Sequence, residues 1–317
     1  MIAHGSRPPL LVVLGPTAAG KSAVAHAIAR HRAGEIVSAD AFAVYRGFDI
    51  GTAKPTDEER REVPYHLIDV SDPDESFSAG RWAREARTAI EDIARRGRLP
   101  IVCGGSGFYI EALLRGLPPG AAADPVRRSA LGRWGKRHPG AARRFLVVND
   151  PISAAKIDAG NLRYILRAME ILLSTGIPAS ARERPADGWA ERWRILKVCV
   201  EPSREDLYAR IAARVHSMLN AGWDAEVRRL NESGILPDAN AFQAIGYREV
   251  ALWVSGRSDR EETEKKIVSA TRALAKRQKT WFSRERDVVR VGPGEALAVA
   301  LGLLNEGETG KEADADE

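Results

Sequence analysis

An eight-residue stretch with two glycines constrains the fold of this chain more than any other part of its sequence. It consists of Gly15, Pro16, Thr17, Ala18, Ala19, Gly20, Lys21 and Ser22, and it matches the phosphate-binding pattern G-x-x-x-x-G-K-[ST] in full. An apolar run at 10–14 precedes it, and an alanine-rich, helix-prone segment at 23–30 follows it. A strand–loop–helix unit of this kind directs backbone N–H groups toward one anion, with Lys21 on the outer phosphate and the Ser22 hydroxyl on magnesium. The stretch predicts a binding site for phosphate or diphosphate, rather than a turn with glycines by chance.

The composition indicates an ordinary globular protein with a polyanionic partner. Of its 317 residues, 29% are charged and 44% are hydrophobic, and no run of about 18 apolar residues occurs, so we expect no membrane association. The two cysteines, Cys103 and Cys199, are too few for a disulfide framework and favour a reducing cytoplasm. The formal net charge is +5, and basic residues cluster at 267–290, ahead of an acidic tail from Asn305. This distribution is typical of a protein that binds a polyanion.

Short apolar runs alternate with helical patterns over the first third of the chain. Runs at 35–40, 66–70 and 99–105 predict strands, and the pattern at 78–96 predicts a helix. This alternation is typical of a parallel sheet flanked by helices. It breaks at the proline-rich segment 118–125, after which 126–175 is helical and rich in arginine, and a strand resumes at 193–200.

We therefore predict an α/β fold: a P-loop NTPase-like parallel sheet flanked by helices, with a helical insertion domain and a helical C-terminal part. The predicted divisions are residues 1–117 for the first part of the core, 118–190 for the insertion, 191–295 for the second part of the core, and 296–317 for a C-terminal segment with a disordered acidic tail.

Two further features point to a site at one edge of the sheet. Asp40 ends the second predicted strand, and the carboxyl ends of parallel strands meet at the edge where ligands bind; the alternative is that Asp40 caps a helix. In the last long helix, Arg272, Lys276 and Lys279 follow one face at helical spacing. Such a ladder of cations suits a phosphate backbone, the alternative being a solvated face.

Several blocks of the sequence resemble those of the tRNA dimethylallyltransferases, also called tRNA isopentenyltransferases, and occur in the same order. The phosphate loop is similar to the family's GPTASGKT, and segments 38–55 and 64–69 are similar to its S-x-D…Y-R-G-x-D-I-G-T-A-K-P and P-H-H-L-I-D blocks. Segments 104–109, 167–170, 243–249 and 270–281 resemble later blocks, among them GGTGLY and RALE. The resemblance extends from about Leu10 to Arg284, and without the zinc finger of eukaryotic relatives it favours the bacterial type.

The resemblance implies a reaction: a dimethylallyl group moves from dimethylallyl diphosphate to the exocyclic amine of the adenosine 3′ to the anticodon in tRNA. Asp40 would accept the proton of that amine, while the Thr17 hydroxyl and Arg228 would stabilise the leaving diphosphate. The implied diphosphate site comprises the phosphate loop, from Gly15 to Ser22, together with Arg228. Magnesium on Ser22 is the one cofactor implied.

The resemblance also implies that a monomer grips the tRNA anticodon stem-loop. The implied contacts are Asp40, Ala41, Phe42, Ala43, Ser106, Arg128, Arg163, Arg167, Gln243, Gly246, Tyr247, Arg248, Lys276, Arg277, Gln278, Lys279 and Trp281. This sequence departs from the family at positions 41–43, where a serine and a glutamine are common, and at Tyr164, where many relatives have arginine and where tyrosine could stack on a base instead.

Three other functions remain open at this point. An adenylate isopentenyltransferase shares the phosphate loop and the aspartate but prenylates a free nucleotide. A small-molecule kinase would use the same loop for ATP and would make Asp69 a magnesium ligand. A non-catalytic RNA-binding module would keep the basic helix but would need neither Lys21 nor Asp40.

Overall fold

The computed structural model describes residues 7–118, 125–183 and 187–306. The chain forms two compact units, one made of Met1–Leu114 with Gly188–Glu317 and the other of Arg115–Asp187. The insertion was predicted at 118–190. The acidic tail, from residue 307 onward, lies outside the described residues.

A six-stranded sheet forms the centre of the first unit, with strand order β3-β2-β4-β1-β5-β6. Every pair of neighbouring strands is parallel, which confirms the predicted α/β fold. The strands are β1 (Pro9–Leu14), β2 (Gly34–Ser38), β3 (Tyr65–His66), β4 (Leu99–Gly104), β5 (Arg194–Val200) and β6 (Val289–Val291). Strands β2 and β4 are buried along their whole length and β1 is buried from Leu10 onward, and β1 and β4 accordingly contain near-continuous apolar runs.

Helices cover the sheet and make up most of the rest of the chain. In chain order they are α1 (Lys21–His31), α2 (Asp57–Glu62), α3 (Ala79–Arg95), α4 (Gly107–Arg115), α5 (Pro125–Arg137), α6 (Pro139–Asn149), α7 (Pro151–Lys156), α8 (Leu162–Thr175), α9 (Arg204–Asn220), α10 (Trp223–Glu232), α11 (Tyr247–Val254), α12 (Arg260–Phe282) and α13 (Ala296–Asn305). Helices α5 to α8 form the second unit, around a small core that includes Leu146, Ile165 and Met169. Within the described ranges, no helix has the length and apolarity needed to cross a bilayer.

The structure corrects one expectation about local structure. The strand predicted at 66–70 ends at His66, because Leu67 and Asp69 take φ values of 60° and 58°, which no strand accommodates. The C-terminal segment from residue 296 begins with α13, whose Ala296, Ala300 and Leu304 are buried in the core of the first unit. The spacing of four residues between these positions gives the helix one apolar face. The sequence analysis did not identify this helix, because it grouped the segment with the charged tail that follows.

Candidate functional site at the carboxyl edge of the sheet

Three loops meet at the carboxyl edge of the sheet because β4 lies between β1 and β2. A Cβ on Gly104, at the end of β4, would lie 2.1 Å from Ala39 O, so only glycine allows the strand to approach this closely. Ser106 N donates to the same carbonyl at 3.1 Å, and Ser106 Oγ accepts from Ala41 N at 3.2 Å. The loop after β4 is therefore fixed against the loop that carries Asp40.

The phosphate loop lies between β1 and α1, as predicted. Gly15 has a φ of 142°, and a Cβ there would lie 2.4 Å from Val200 O, so this position requires glycine. Lys21 is buried at the start of α1 and its Nζ donates to Pro16 O at 2.6 Å. Burial lowers the pKa of the Lys21 ammonium to about 8. A bound anion would therefore find a desolvated cation close to the loop amides, which strengthens their attraction.

The donor set around Ser22 suits magnesium that arrives with a diphosphate. Ser22 is exposed in the first turn of α1. No group of three or more His, Cys, Asp or Glu side chains that could hold a metal occurs in the described part of the chain. Magnesium keeps several waters and often binds through substrate phosphates with few protein ligands. One hydroxyl beside a phosphate loop therefore fits this ion, whereas a cage built by the protein alone is not found in the described ranges.

Asp40 uses only one of its carboxylate oxygens to hold the local backbone. Its Oδ1 accepts from Phe42 N at 2.8 Å and from Ala43 N at 3.2 Å, which fixes a turn rather than a helix. No hydrogen bond to Oδ2 is found among the described residues. The negative charge of Asp40 favours the charged forms of both Lys21 and Arg214. The second oxygen is thus left available to accept a hydrogen bond from a ligand.

Two arginines of α9 reach the phosphate loop, and the sequence analysis did not identify either of them. Arg210 Nη1 lies 3.6 Å from the place that a Cβ on Gly20 would take. Arg214 follows one helical turn later. Its positive charge lowers the pKa of Lys21, and the negative charge of Asp40 favours the charged form of Arg214. Burial lowers the pKa of the Arg214 guanidinium, and no hydrogen bond to it occurs among the described residues. An anion in the loop would supply the missing partner.

The arginine expected at the diphosphate, Arg228, has a different environment. Its side chain is 53% exposed, and Nη2 lies 3.9 Å from Asp224 Oδ2 on the same helix, α10. The ion pair described for Arg228 therefore does not extend to the phosphate loop, whereas Arg210 lies beside Gly20 and the charge of Arg214 lowers the pKa of Lys21. The structure favours the α9 pair as the diphosphate arginines.

Three positions expected to touch RNA are buried. Tyr247 has no exposed surface, Ala43 is only 4% exposed, and a Cβ on Gly246 would lie 2.1 Å from the Trp223 ring. The side chains of Tyr247 and Ala43 are therefore covered by the protein itself, and contact of these three positions with RNA stays a prediction. Because Gly246 packs against an indole, a larger residue at this position would displace the core.

Tyr247 instead supports the loop that follows Asp40, together with the buried carboxylate of Glu226. Tyr247 Oη donates to Glu226 Oε1 at 2.7 Å and accepts from Gly51 N at 3.1 Å. Glu226 Oε2 accepts from the backbone N–H groups of Asp49 and Ile50, at 3.1 and 2.8 Å. Burial raises the pKa of Glu226. The pair is a structural clamp on residues 49–51.

Other predicted RNA contacts of the first unit are exposed. These are Gln243, Arg248, Lys276, Arg277, Lys279 and Trp281. The Trp281 ring packs on Gly107, where a Cβ would lie 2.3 Å from Trp281 Cδ1. Its centroid lies 6.5 Å from that of Phe108, edge to face, and Phe108 is 50% exposed. Two aromatic rings beside exposed cations suit the stacking of bases.

In the second unit, the buried carboxylate of Glu170 holds two of the predicted RNA-binding arginines. Glu170 Oε1 lies 3.0 Å from Arg128 Nη2, and Oε2 lies 2.7 Å from Arg167 Nη1. Both guanidinium groups remain partly exposed, as do Arg163 and the Tyr164 ring, which is 60% exposed. The unit therefore presents a basic surface with an aromatic ring on α8.

Asp69 does not have the environment that a kinase would need. Its Oδ1 lies 2.5 Å from the buried Lys54 Nζ, and its Oδ2 lies 2.8 Å from Arg60 Nη1. Both oxygens are neutralised by cations, so Asp69 is a structural ion pair rather than a ligand for magnesium.

Comparison with known proteins gives consistent results. The family model described as IPP transferase matches residues 43–285. A protein of Desulfosudis oleivorans named tRNA dimethylallyltransferase is 44% identical, covering 92% of this chain and 93% of its own, and a protein of the same name from Thermomicrobium roseum is 43% identical, covering 89% and 85%. The crystal structure of the full-length tRNA isopentenylpyrophosphate transferase from Bacillus halodurans is similar with a TM-score of 0.70 at 33% identity, covering 98% of this chain and 100% of its own. A eukaryotic dimethylallyltransferase described as acting on tRNA is similar with a TM-score of 0.74 at 26% identity, covering 90% and 74%.

Proposed function

This chain belongs to the IPP transferase family, and we propose that it transfers a dimethylallyl group from dimethylallyl diphosphate to the exocyclic amine of the adenosine 3′ to the anticodon. It is an enzyme that prenylates tRNA, as the names and the coverage of its relatives indicate. The observation that carries the detailed proposal is the meeting of the phosphate loop, Asp40 and the α9 arginines at one edge of the sheet.

The proposed chemistry breaks a C–O bond of an allylic diphosphate and forms a C–N bond to adenine. Negative charge develops on the leaving diphosphate, and the loop amides, Lys21, Arg210 and Arg214 are the groups that would stabilise it; their proximity to the phosphate loop supports this role. Magnesium, when bound with the diphosphate, would neutralise part of that charge, and the Ser22 hydroxyl would hold it. The amine proton goes to Asp40, whose Oδ2 accepts no hydrogen bond among the described residues.

The RNA partner is supported by the exposed basic residues of α12 and by the aromatic pair beside them. An adenine reaches an enclosed site most easily from a single-stranded loop, where it has little stacking to lose. We propose a cytoplasmic location, since tRNA is the substrate. We also propose a monomer, as the resemblance to the family implies.

The test is prenylation in vitro, with the Asp40→Asn variant beside the wild type. Purified protein, magnesium, unmodified tRNA and dimethylallyl diphosphate are incubated, and the nucleosides are weighed after digestion. The asparagine amide oxygen can still accept from Phe42 N and Ala43 N, so the turn is kept, but it cannot take the proton. We expect a loss of about 10²-fold or more in the rate.

A parallel reaction with AMP in place of tRNA separates the nearest alternative. Prenylated AMP would move the assignment to the adenylate isopentenyltransferases. Full activity of Asp40→Asn would instead remove the carboxylate from the mechanism.

A further inference from the structure

One side chain joins the phosphate loop to the helix that carries the basic surface. Gln278, on α12, accepts a hydrogen bond from Thr17 N at 2.8 Å through Oε1 and donates to Gly105 O at 3.0 Å through Nε2. Thr17 belongs to the loop after β1, and Gly105 to the loop after β4. Three segments that are distant in the sequence are therefore fixed to each other by a single amide group.

The two hydrogen bonds define what this position requires. Thr17 N can only donate and Gly105 O can only accept, so a side chain here needs one acceptor and one donor, as a glutamine amide has. A Cβ on Gly105 would lie 2.4 Å from Gln278 Nε2, so the bridge also requires glycine at 105. The fit is specific to this pair of residues.

The same helix holds the candidate RNA surface at its exposed side. Lys276, Arg277 and Lys279 flank the glutamine and are exposed. Three residues later, Trp281 packs on Gly107, so α12 rests on the loop after β4 at two points. A ligand that fixes α12 therefore also fixes the position of the amide that holds Thr17.

We propose that Gln278 couples RNA binding on α12 to diphosphate binding in the phosphate loop. RNA that immobilises α12 holds the Thr17 backbone, and with it the loop that would bind the diphosphate. The diphosphate in turn orders the loop and through the bridge orders α12, so each ligand reduces the conformational entropy that the other must remove. The proposal rests on the proposed function, since it takes RNA as the ligand of α12.

Calorimetry tests the coupling without any chemical step. The probe is inorganic diphosphate with magnesium, titrated into full-length protein alone and into protein saturated with an unmodified anticodon stem-loop RNA. For the wild type we expect the RNA to tighten diphosphate binding by about fivefold or more, and the diphosphate to tighten RNA binding by the same factor.

Two variants break the bridge from opposite ends. Gln278→Met keeps the length of the side chain without its hydrogen bonds, and Gly105→Ala leaves the glutamine in place but displaces its amide. Both are expected to reduce the coupling factor to below about twofold. Glu261→Met is the matched control, because Glu261 is exposed on the same helix and its ion pair is with Lys265 of that helix. Its coupling factor should stay at the wild-type value.

A wild-type coupling factor within twofold of one would overturn the proposal, and so would a wild-type factor in both bridge variants. Prenylation of tRNA is measured on the same preparations, which separates the two failures. An active wild type without coupling refutes the role of Gln278 alone. An inactive wild type refutes the proposed reaction, and the coupling factor then still decides whether Gln278 links the two sites.

Discussion

Replacing Arg214 should weaken catalysis far more than replacing Arg228, although the sequence resemblance favoured Arg228. Arg214 is partly buried and its charge lowers the pKa of Lys21, while Arg228 is 53% exposed. The variants to compare are Arg214→Gln and Arg228→Gln, which remove the charge and keep a polar side chain.

The magnitude follows from the environment of each guanidinium. A charge pair at about 4 Å is worth about 4 kcal/mol at an effective dielectric constant near 20, and net hydrogen bonds to charged groups contribute about 1.5–3 kcal/mol. For a partly buried arginine on a developing diphosphate charge, we expect a loss of about 2–3 kcal/mol, which is about 30- to 150-fold in rate. For exposed Arg228, about 0.5 kcal/mol or less corresponds to about twofold.

Single-turnover prenylation of tRNA at saturating dimethylallyl diphosphate is the assay, with thermal unfolding as the control for folding. The Arg214 variant should melt no lower than the wild type, because burial already disfavours the charge that it removes. If Arg228→Gln lost about 30-fold or more while Arg214→Gln stayed within twofold, the structural assignment would be refuted and the sequence-based one restored.

Three further predictions follow from particular contacts. Above pH 8, diphosphate binding should take up a proton and weaken as the pH rises, because the pKa of Lys21 is lowered to about 8 in the free protein and a bound anion raises it. Calorimetry in buffers of different ionisation enthalpy measures the proton that is taken up. The same uptake in Lys21→Met would exclude Lys21 as its source. Glu226→Ala should lower the free energy of unfolding, measured by urea titration, by roughly 2–4 kcal/mol, since it leaves Asp49 N, Ile50 N and Tyr247 Oη without their acceptor. The control is Glu232→Ala, at an exposed position of the same helix, which should change the free energy of unfolding by less than about 0.5 kcal/mol. Gly107→Ala should weaken RNA binding, because its Cβ would lie 2.3 Å from Trp281 Cδ1 and displace the indole. If the indole is the cause, adding Gly107→Ala to Trp281→Ala should weaken RNA binding no further. Independent effects of the two substitutions would contradict this explanation.

The parts of the site that lie directly after strands could be predicted from the sequence. Gly15, Asp40 and Gly105 each follow an apolar run, and parallel strands bring such positions to a common edge whatever the order of the strands. This local rule needs no knowledge of long-range packing. It therefore gave the phosphate loop, the aspartate and the glycine-rich loop after β4.

Choosing among the helical arginines needed information that a single sequence lacks. Arg210 and Arg214 each precede a buried residue of α9, and Arg228 follows a buried residue of α10. Helical periodicity therefore places all three arginines next to the buried face of their helix and does not distinguish them. What separates them is how each helix packs on the sheet edge. The burial of Tyr247 was missed for the same reason, since its acceptor, Glu226, lies on a different helix.

The distribution of charge at the edge of the sheet explains why Asp40 is anchored by its own backbone. The aspartate shares the site with Lys21 and Arg214, yet no ion pair within 4.0 Å joins it to either of them among the described residues. A mobile carboxylate would close onto these cations and neutralise both ends of the reaction at once. Because Oδ1 is held by Phe42 N and Ala43 N, the negative and positive groups stay apart. In the proposed reaction the cations would face the leaving diphosphate and the carboxylate would face the amine, which is the charge separation that prenyl transfer to an adenine requires.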